Sequence, residues 1–142
     1  MKEVEFTVYG EPKGKGRPRF SKTKYGVRTF TPADTRNYEA FVKISYINEV
    51  GSVKLNGAIS ADITGVFPIP KSVSKKQRIL MEQGKIPYTK KIDIDNLCKS
   101  ILDSVNGIAY DDDKQIVELT AHKMYGVEPC VKVKFKEIAE SE

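Results

Sequence analysis

The acidic pair Asp93 and Asp95 stands directly before an apolar stripe with helical spacing, and this junction constrains the fold more than any other segment of the chain. In an extended segment, side chains two residues apart point to the same face. We therefore expect both carboxylates to reach one hard cation. Oxygen ligands of this kind suit Mg²⁺, with Mn²⁺ as a substitute, because such ions keep waters and need only one or two carboxylates plus phosphate oxygens.

The residues after this pair predict a helix over 96–105. Asp95 or Asn96 is expected to cap its start, because a short side-chain oxygen can accept from an amide of the first turn. Asn106-Gly107 is expected to end it. Its inward stripe consists of four apolar residues, Leu97, Ile101, Leu102 and Val105.

Lys99 follows Asp95 by four residues and is expected to project beside the acidic pair. It shares a helix face with Asn96 and Asp103. A lysine at this place suits a phosphate oxygen or a leaving oxyanion. The alternative is an ordinary helix cap with an i,i+4 ion pair.

A second acidic cluster, Asp111 to Asp113, follows the helix and leads into a predicted strand near 115–125. The alternating residues Val117, Leu119 and Ala121 are expected to form the buried face of this strand. The two clusters can meet only if the loop and strand traverse the length of the helix. The alternative is a solvated turn. Neither cluster has the glycine and glutamate that an EF-hand loop requires, so an EF-hand is excluded.

These motifs resemble the RusA family of Holliday junction resolvases. The resemblance lies in Asp93-x-Asp95-Asn96-Leu97-x-Lys99-x-x-x-Asp103, in Asp112-Asp113-x-Gln115-Ile116-Val117, and in a basic loop that begins Gly10-Glu11-Pro12-Lys13. It implies that Asp93, Asp95 and Asp113 are metal-binding catalytic acids. It implies further that Lys99 is the catalytic lysine and Asp112 a neighbouring acid. Because Asp111 is an extra aspartate, Asp112 takes the role of Asp113 if the register slips by one.

The resemblance implies a Mg²⁺-dependent endodeoxyribonuclease that resolves four-way DNA junctions by paired symmetric nicks. A homodimer would supply one site for each nick. Two alternatives stay open: a non-catalytic nucleic-acid-binding accessory protein, and a metal nuclease directed at flaps or forks.

The charge distribution also indicates a polyanionic partner. The chain carries a net charge of +5, and the loop over residues 10–31 is rich in lysine and arginine, which favours phosphate-backbone binding. A merely solvated basic loop is the alternative. Gly14-Lys15-Gly16 lacks the spacing of a P-loop. The residues expected to bind DNA are Lys13, Lys15, Arg17, Arg19, Lys75, Lys76 and Arg78.

The whole chain, 1–142, is expected to form one nuclease domain of the α+β class, with its catalytic signature at 93–113. We expect a two-layer sandwich in which about three helices cover one face of a mixed or mostly antiparallel sheet of about four strands. The expected strands are Glu3 to Tyr9, 58–67, 115–125 and 130–137, and the expected helices are 31–49, 71–83 and 96–105. The inward stripe of the first helix is expected to comprise Tyr38, Phe41, Val42, Ser45 and Tyr46, and Ser72 or Ser74 should cap the second helix.

The remaining signals are weak. Cys98 and Cys130 lack metal-ligand spacing and are expected to be small buried thiols. His122, the single histidine, is expected to face solvent. The amino terminus has charges where a signal peptide needs apolar residues, and no stretch is long enough to span a membrane, so a cytoplasmic location is expected.

Overall fold

A computed structural model describes the backbone of residues 1–16, 19–23, 26–30 and 33–140, and the side chains of residues 1–16 and 33–140. The strands are β1 (Glu3–Tyr9), β2 (Arg19–Thr23), β3 (Gly26–Phe30), β4 (Ile59–Pro68), β5 (Ile116–Gly126) and β6 (Cys130–Glu137). The helices are α1 (Ala33–Val50), α2 (Lys75–Glu82) and α3 (Ile94–Ser104), and a 3₁₀ turn spans Asp113–Gln115.

The main sheet has four strands in the order β1-β6-β4-β5. β6 pairs antiparallel with both β1 and β4, whereas β4 and β5 are parallel. Parallel neighbours need a crossover connection, and here α2 and α3 provide it. Within this crossover, residues 105–115 connect the end of α3 to the start of β5. The expected α+β class and mixed sheet are confirmed.

One face of the sheet is buried because apolar residues alternate along the strands. Val4, Phe6 and Val8 of β1 and Val131, Val133 and Phe135 of β6 are all buried, as the alternation predicts. They belong to one core cluster with residues of α1 and α3, including Tyr46, Leu97 and Ile101. The rings of Tyr46 and Phe6 pack edge to face, with 5.2 Å between ring centroids. The packing of all three helices on this face stays a prediction.

The opposite face of the sheet is polar. Lys134 of β6 lies 2.8 Å from Glu3 and 3.4 Å from Glu5. Lys132 and His122 are exposed on the same face, so the expectation for His122 is confirmed. Within the described residues, no helix is long and apolar enough to cross a membrane.

Two helix starts differ from expectation. α3 begins two residues earlier than expected, with Asp93 at the N-cap position instead of Asp95 or Asn96. α2 is shorter than expected and begins after Ser74, whose hydroxyl accepts from the Gln77 amide at 3.2 Å. Ser74 is therefore the cap, and the segment before it is not helical.

Three further expectations need correction. The basic loop contains an antiparallel hairpin of β2 and β3, which the sequence analysis treated as loop. Phe41 is 44% exposed, so it lies outside the inward stripe of α1. Val117 and Leu119 are 61% and 49% exposed because β5 is an edge strand, and a register shift leaves Val117 without a partner in β4. The expected capping at Thr31-Pro32 lies outside the described residues. Cys98 and Cys130 are buried free thiols, as expected.

Candidate active site

The first turn of α3 presents two carboxylates to solvent. Asp93 has extended backbone angles at the N-cap position but makes no side-chain cap hydrogen bond, and Asp95 lies in the first helical turn. Both are exposed, and neither forms an ion pair with another side chain of the described part of the chain. The partial positive charge at a helix start favours anions here. Among the described residues, these two carboxylates are thus left without an ion-pair partner and can bind an external ligand.

Lys99 lies one turn further along α3 and is exposed. At i+4 from Asp95 it occupies the same side of the helix. Its ammonium makes no ion pair within the described residues. It is therefore available for an external anion, as the sequence analysis expected.

The basic loop is fastened along this same helix. The Lys15 amide donates to Asn96 Oδ1 at 3.0 Å, and the Lys15 ammonium lies 2.8 Å from Asp103 Oδ2. The hydrogen bond from its ammonium to the Asp103 carboxylate raises the pKa of Lys15. Gly14 fits tightly, because a Cβ there would lie 2.4 Å from Asn96 Nδ2. The next amide, from Gly16, donates to Thr35 Oγ1 of α1 at 2.9 Å.

The turn after α3 positions the second acidic cluster. The Tyr110 hydroxyl is buried and donates to the Leu102 carbonyl at 2.6 Å. Gln115 Oε1 accepts from the amides of Asp111 and Asp112 at 2.9 and 3.0 Å. The Asp112 carboxylate in turn accepts from the Lys114 amide at 2.9 Å. The turn is therefore held tightly against the end of α3.

Asp112 and Asp113 play different parts in this turn. The hydrogen bond from the Lys114 amide lowers the pKa of Asp112. The pKa of Asp113 is raised, first by burial and then by the neighbouring carboxyls of Asp112 and Asp103. Asp112 thus caps the 3₁₀ turn, whereas Asp113 faces other carboxyl groups. Asp111, the extra aspartate, forms a surface ion pair with Lys54 at 2.8 Å.

A single chain does not bring the two acidic clusters together. Asp113 lies beside Asp103 near the end of α3, whereas Asp95 is eight residues earlier, about 12 Å along the axis at 1.5 Å per residue. Within the described residues, no three acidic, cysteine or histidine side chains are grouped so as to hold a metal ion. The ligand set Asp93, Asp95 and Asp113, with Asp112 beside it, stays a prediction.

The expected DNA-binding residues fall into three groups. Lys13, Lys75 and Lys76 are exposed. Lys15 and Arg78 have partners within the protein, since Arg78 donates to the Pro70 carbonyl at 3.2 Å. The third group lies outside the described side chains and comprises Arg17 and Arg19.

Two residues that shape the site, Asp103 and Lys123, were not predicted to have a role in it. Asp103 holds the basic loop through Lys15, and its position on the face of Asn96 and Lys99 was the available signal. Lys123 of β5 donates to the carbonyls of Lys90 and Ile92, both at 2.9 Å, just before Asp93. The sequence feature that could have indicated this role is the spacing of Lys123, which lies two residues from both Ala121 and Tyr125 and so shares their face of the strand.

Exposed carboxylates and an exposed lysine lie on α3, and the basic loop is fastened along this helix, so the arrangement fits a class of protein that acts on phosphodiesters. The chain belongs to the RusA endodeoxyribonuclease family: the model of this family, described as endodeoxyribonuclease RusA, matches residues 9–136. The resemblance found in the sequence is thereby confirmed. The chain is also similar to the uncharacterized protein YqaN of Bacillus subtilis (strain 168), with 36% identity over 138 residues that cover 96% of this chain and 97% of YqaN.

Proposed function

We propose that this protein is a Mg²⁺-dependent endodeoxyribonuclease that resolves four-way DNA junctions by paired symmetric nicks. The observation that carries this proposal is the free acidic start of α3, with Lys99 one turn away, in a chain of the RusA family. The net charge of +5 supports a polyanionic substrate. The proposal includes a cytoplasmic location, where the enzyme would meet DNA.

The donor chemistry at the start of α3 fits Mg²⁺. Asp93 and Asp95 offer hard oxygen ligands with no competing partner among the described side chains. An ion of this kind needs one or two carboxylates, with waters and phosphate oxygens filling its other positions. Mn²⁺ prefers similar ligands and should substitute for it. Bound there, the metal would supply Lewis-acid activation of the scissile phosphate and of the attacking water.

The protein's own groups would perform the remaining tasks. Asp93 and Asp95 would fix the metal at the start of α3. The Lys99 ammonium would neutralise charge that develops on the phosphate or the leaving oxygen. The basic loop, fastened along α3 by Lys15, would hold the DNA backbone over the same helix. Substrate and acids would thus be aligned by a single structural element.

A homodimer would explain how Asp113 can take part in the site. In one chain Asp113 and the acidic start of α3 lie at opposite ends of that helix. A two-fold axis that brings two copies of α3 together in opposite directions would place Asp113 of one copy near Asp95 of the other. We therefore propose that the third acid is supplied by the second copy. The two sites would then be related by symmetry, as paired nicking requires.

The first experiment compares substrates. Purified protein is incubated with a synthetic immobile junction, a matched duplex, a flap and a fork, with and without Mg²⁺. Cleavage of the junction alone, in symmetric pairs and only with metal, is expected. If the flap or the fork is cut in preference to the junction, that branched DNA and not the four-way junction is the substrate of the protein. Binding without any cleavage would leave a non-catalytic DNA-binding protein.

A second experiment tests the acids. Asp95→Asn should reduce cleavage about 100-fold or more, by analogy with the loss of one preorganised electrostatic contact, while junction binding persists. Asp62→Asn, on the open face of the sheet, is the matched control and should cut normally. Near-normal cleavage by Asp95→Asn would refute the metal role.

Mixing two inactive variants tests the shared site. If the second copy supplies Asp113, a mixed dimer of Asp95→Asn and Asp113→Asn chains has one site with both substitutions and one site with neither. Mixing should then restore single nicks. If each chain forms its own site, the mixture should stay as inactive as its components.

A further inference from the structure

The loop that leads into Asp93 has an unusual backbone arrangement. Over residues 84–92, which connect α2 to α3, three consecutive carbonyl groups near the end of the loop are bound by the protein. The Lys123 ammonium donates to the carbonyls of Lys90 and Ile92, both at 2.9 Å. The Tyr88 hydroxyl donates to the carbonyl between them, that of Lys91. Each of these carbonyls therefore has a donor within the protein.

Both donors are held against the sheet: Lys123 belongs to β5, and Tyr88 is a loop residue whose ring packs on β4 and β5. The Tyr88 ring stacks on Phe67 of β4, with 4.0 Å between centroids and 14° between planes. It also meets Tyr125 of β5 edge-on at 5.0 Å. The Lys123 ammonium lies 5.2 Å from the Tyr88 ring centroid, which adds a cation–π contact. Loop 84–92 is thus anchored to both strands of the parallel pair.

The exterior of the loop is cationic. Lys85, Lys90 and Lys91 are exposed, and none of them forms an ion pair within the described residues. The loop contains no acidic residue from Gly84 to Ile92. With the carbonyls of residues 90–92 turned inward, its outer surface near Asp93 offers ammonium groups to a neighbouring anion. Asp93 follows Ile92 directly.

We propose that loop 84–92 is a preformed contact for the DNA phosphate backbone, with Lys90 and Lys91 as the contacting residues. The proposal rests on the proposed nuclease function, because it places these lysines beside the strand that Asp93 and Asp95 would cut. Because the loop directly precedes Asp93, it would lie beside a strand whose phosphate reaches the start of α3. Because the backbone is already held, binding costs little further ordering of the loop.

The salt dependence of binding tests the proposal. Junction binding by the full chain is measured without divalent metal over a series of salt concentrations. Each phosphate contact that is lost should reduce the slope of log K against log salt by about 0.9. Lys90→Ala/Lys91→Ala should therefore bind more weakly with a slope smaller by about two units. Lys90→Arg/Lys91→Arg should keep the slope, because both positive charges remain.

A matched control separates a local contact from a general loss of charge. Lys43→Ala/Lys136→Ala removes two exposed lysines from α1 and β6 and should keep the wild-type slope. An unchanged slope for the Lys90 and Lys91 variant, or an equal decrease in the control, would overturn the proposal. Failure of the wild-type protein to bind or cut any branched DNA would instead overturn the proposed function. The two failures are therefore distinguishable.

Discussion

The Lys15 ammonium lies 2.8 Å from the Asp103 carboxylate, and this ion pair joins the basic loop to the helix that carries the acidic residues. The Lys15 and Asp103 side chains are only 32% and 23% exposed, so water screens them incompletely. The Lys15 amide binds Asn96 on the same helix. The loop therefore spans two turns of α3, and Lys99 lies between its attachment points.

A double-mutant cycle should detect this connection. Lys15→Ala and Asp103→Ala, measured singly and together by urea denaturation, should give a coupling free energy of about 0.5–1 kcal/mol, at the upper end for partly exposed pairs. The exposed pair of Lys54 and Asp111 has the same 2.8 Å distance and is the matched control. Its coupling should be smaller. Equal coupling in both pairs would contradict a special role for the Lys15 contact.

Asp113→Asn should stabilise the protein at neutral pH while it abolishes cleavage. Burial and two neighbouring carboxyls raise the pKa of Asp113 in the folded state, so the folded protein binds this proton more tightly than the unfolded chain. Stability therefore falls as the pH rises from the ordinary aspartate pKa through the raised value, and the loss then stays constant. Thermal unfolding of both proteins over a pH series checks this. A variant with a lower melting temperature than wild type at neutral pH would contradict it.

Lys123→Met should reduce cleavage more than junction binding. The substitution keeps much of the side-chain volume but removes both hydrogen bonds to the carbonyls of Lys90 and Ile92, so Asp93 loses its fixed position. A misplacement of about 1 Å can cost up to about 100-fold in rate. Lys123→Arg keeps the charge and donors and should retain more activity. Lys132→Met, an exposed lysine of the same sheet, is the control; an equal loss in that variant would refute the positioning role.

Tyr110→Phe should lower stability by about 1 kcal/mol, the usual net value of one buried hydrogen bond. The buried Tyr110 hydroxyl binds the Leu102 carbonyl, and its removal leaves that acceptor without this donor near the end of α3. Burial also raises the pKa of Tyr110, which keeps the hydroxyl protonated as a donor. Urea denaturation provides the measurement. Tyr125→Phe is the comparison, because the described structure gives the Tyr125 hydroxyl no hydrogen bond; an equal loss there would contradict the assignment.

The sequence predicted the elements whose periodicity reflects burial. β1 and β6 alternate cleanly because one face of each is in the core, and the stripe of α3 is confirmed at Leu97 and Ile101. The same reasoning was wrong for Val117 and Leu119, because alternation does not reveal that a strand lies at an edge of the sheet. The β2–β3 hairpin was missed since charge dominates the pattern of that segment.

The sequence predicted the composition of the candidate site better than its geometry. Asp93 and Asp95, which have no ion-pair partner among the described side chains, lie at the start of the helix, but the helix begins two residues earlier than predicted, so Asp95 lies in its first turn and not in an extended segment. Lys99 is exposed one turn further on, as predicted. The position of Asp113 depends on the direction in which β5 leaves α3, and no local pattern encodes that direction. The distinction between Asp112 and Asp113 required the hydrogen bond from the Lys114 amide to the Asp112 carboxylate, which only the folded turn displays.

The parallel strand β5 runs back along α3, and residues at or near its two ends contact groups at the two ends of that helix. Asp113, just before the strand, faces Asp103, and Lys123, near its end, holds the carbonyl that precedes Asp93. The number of residues between Asp113 and Lys123 therefore fixes the distance between the two ends of the candidate site. An insertion or deletion of one residue within β5 would shift one end relative to the other and move the residues beyond it to the opposite face of the sheet. Length variation among relatives should thus be tolerated in the loops and excluded from this strand.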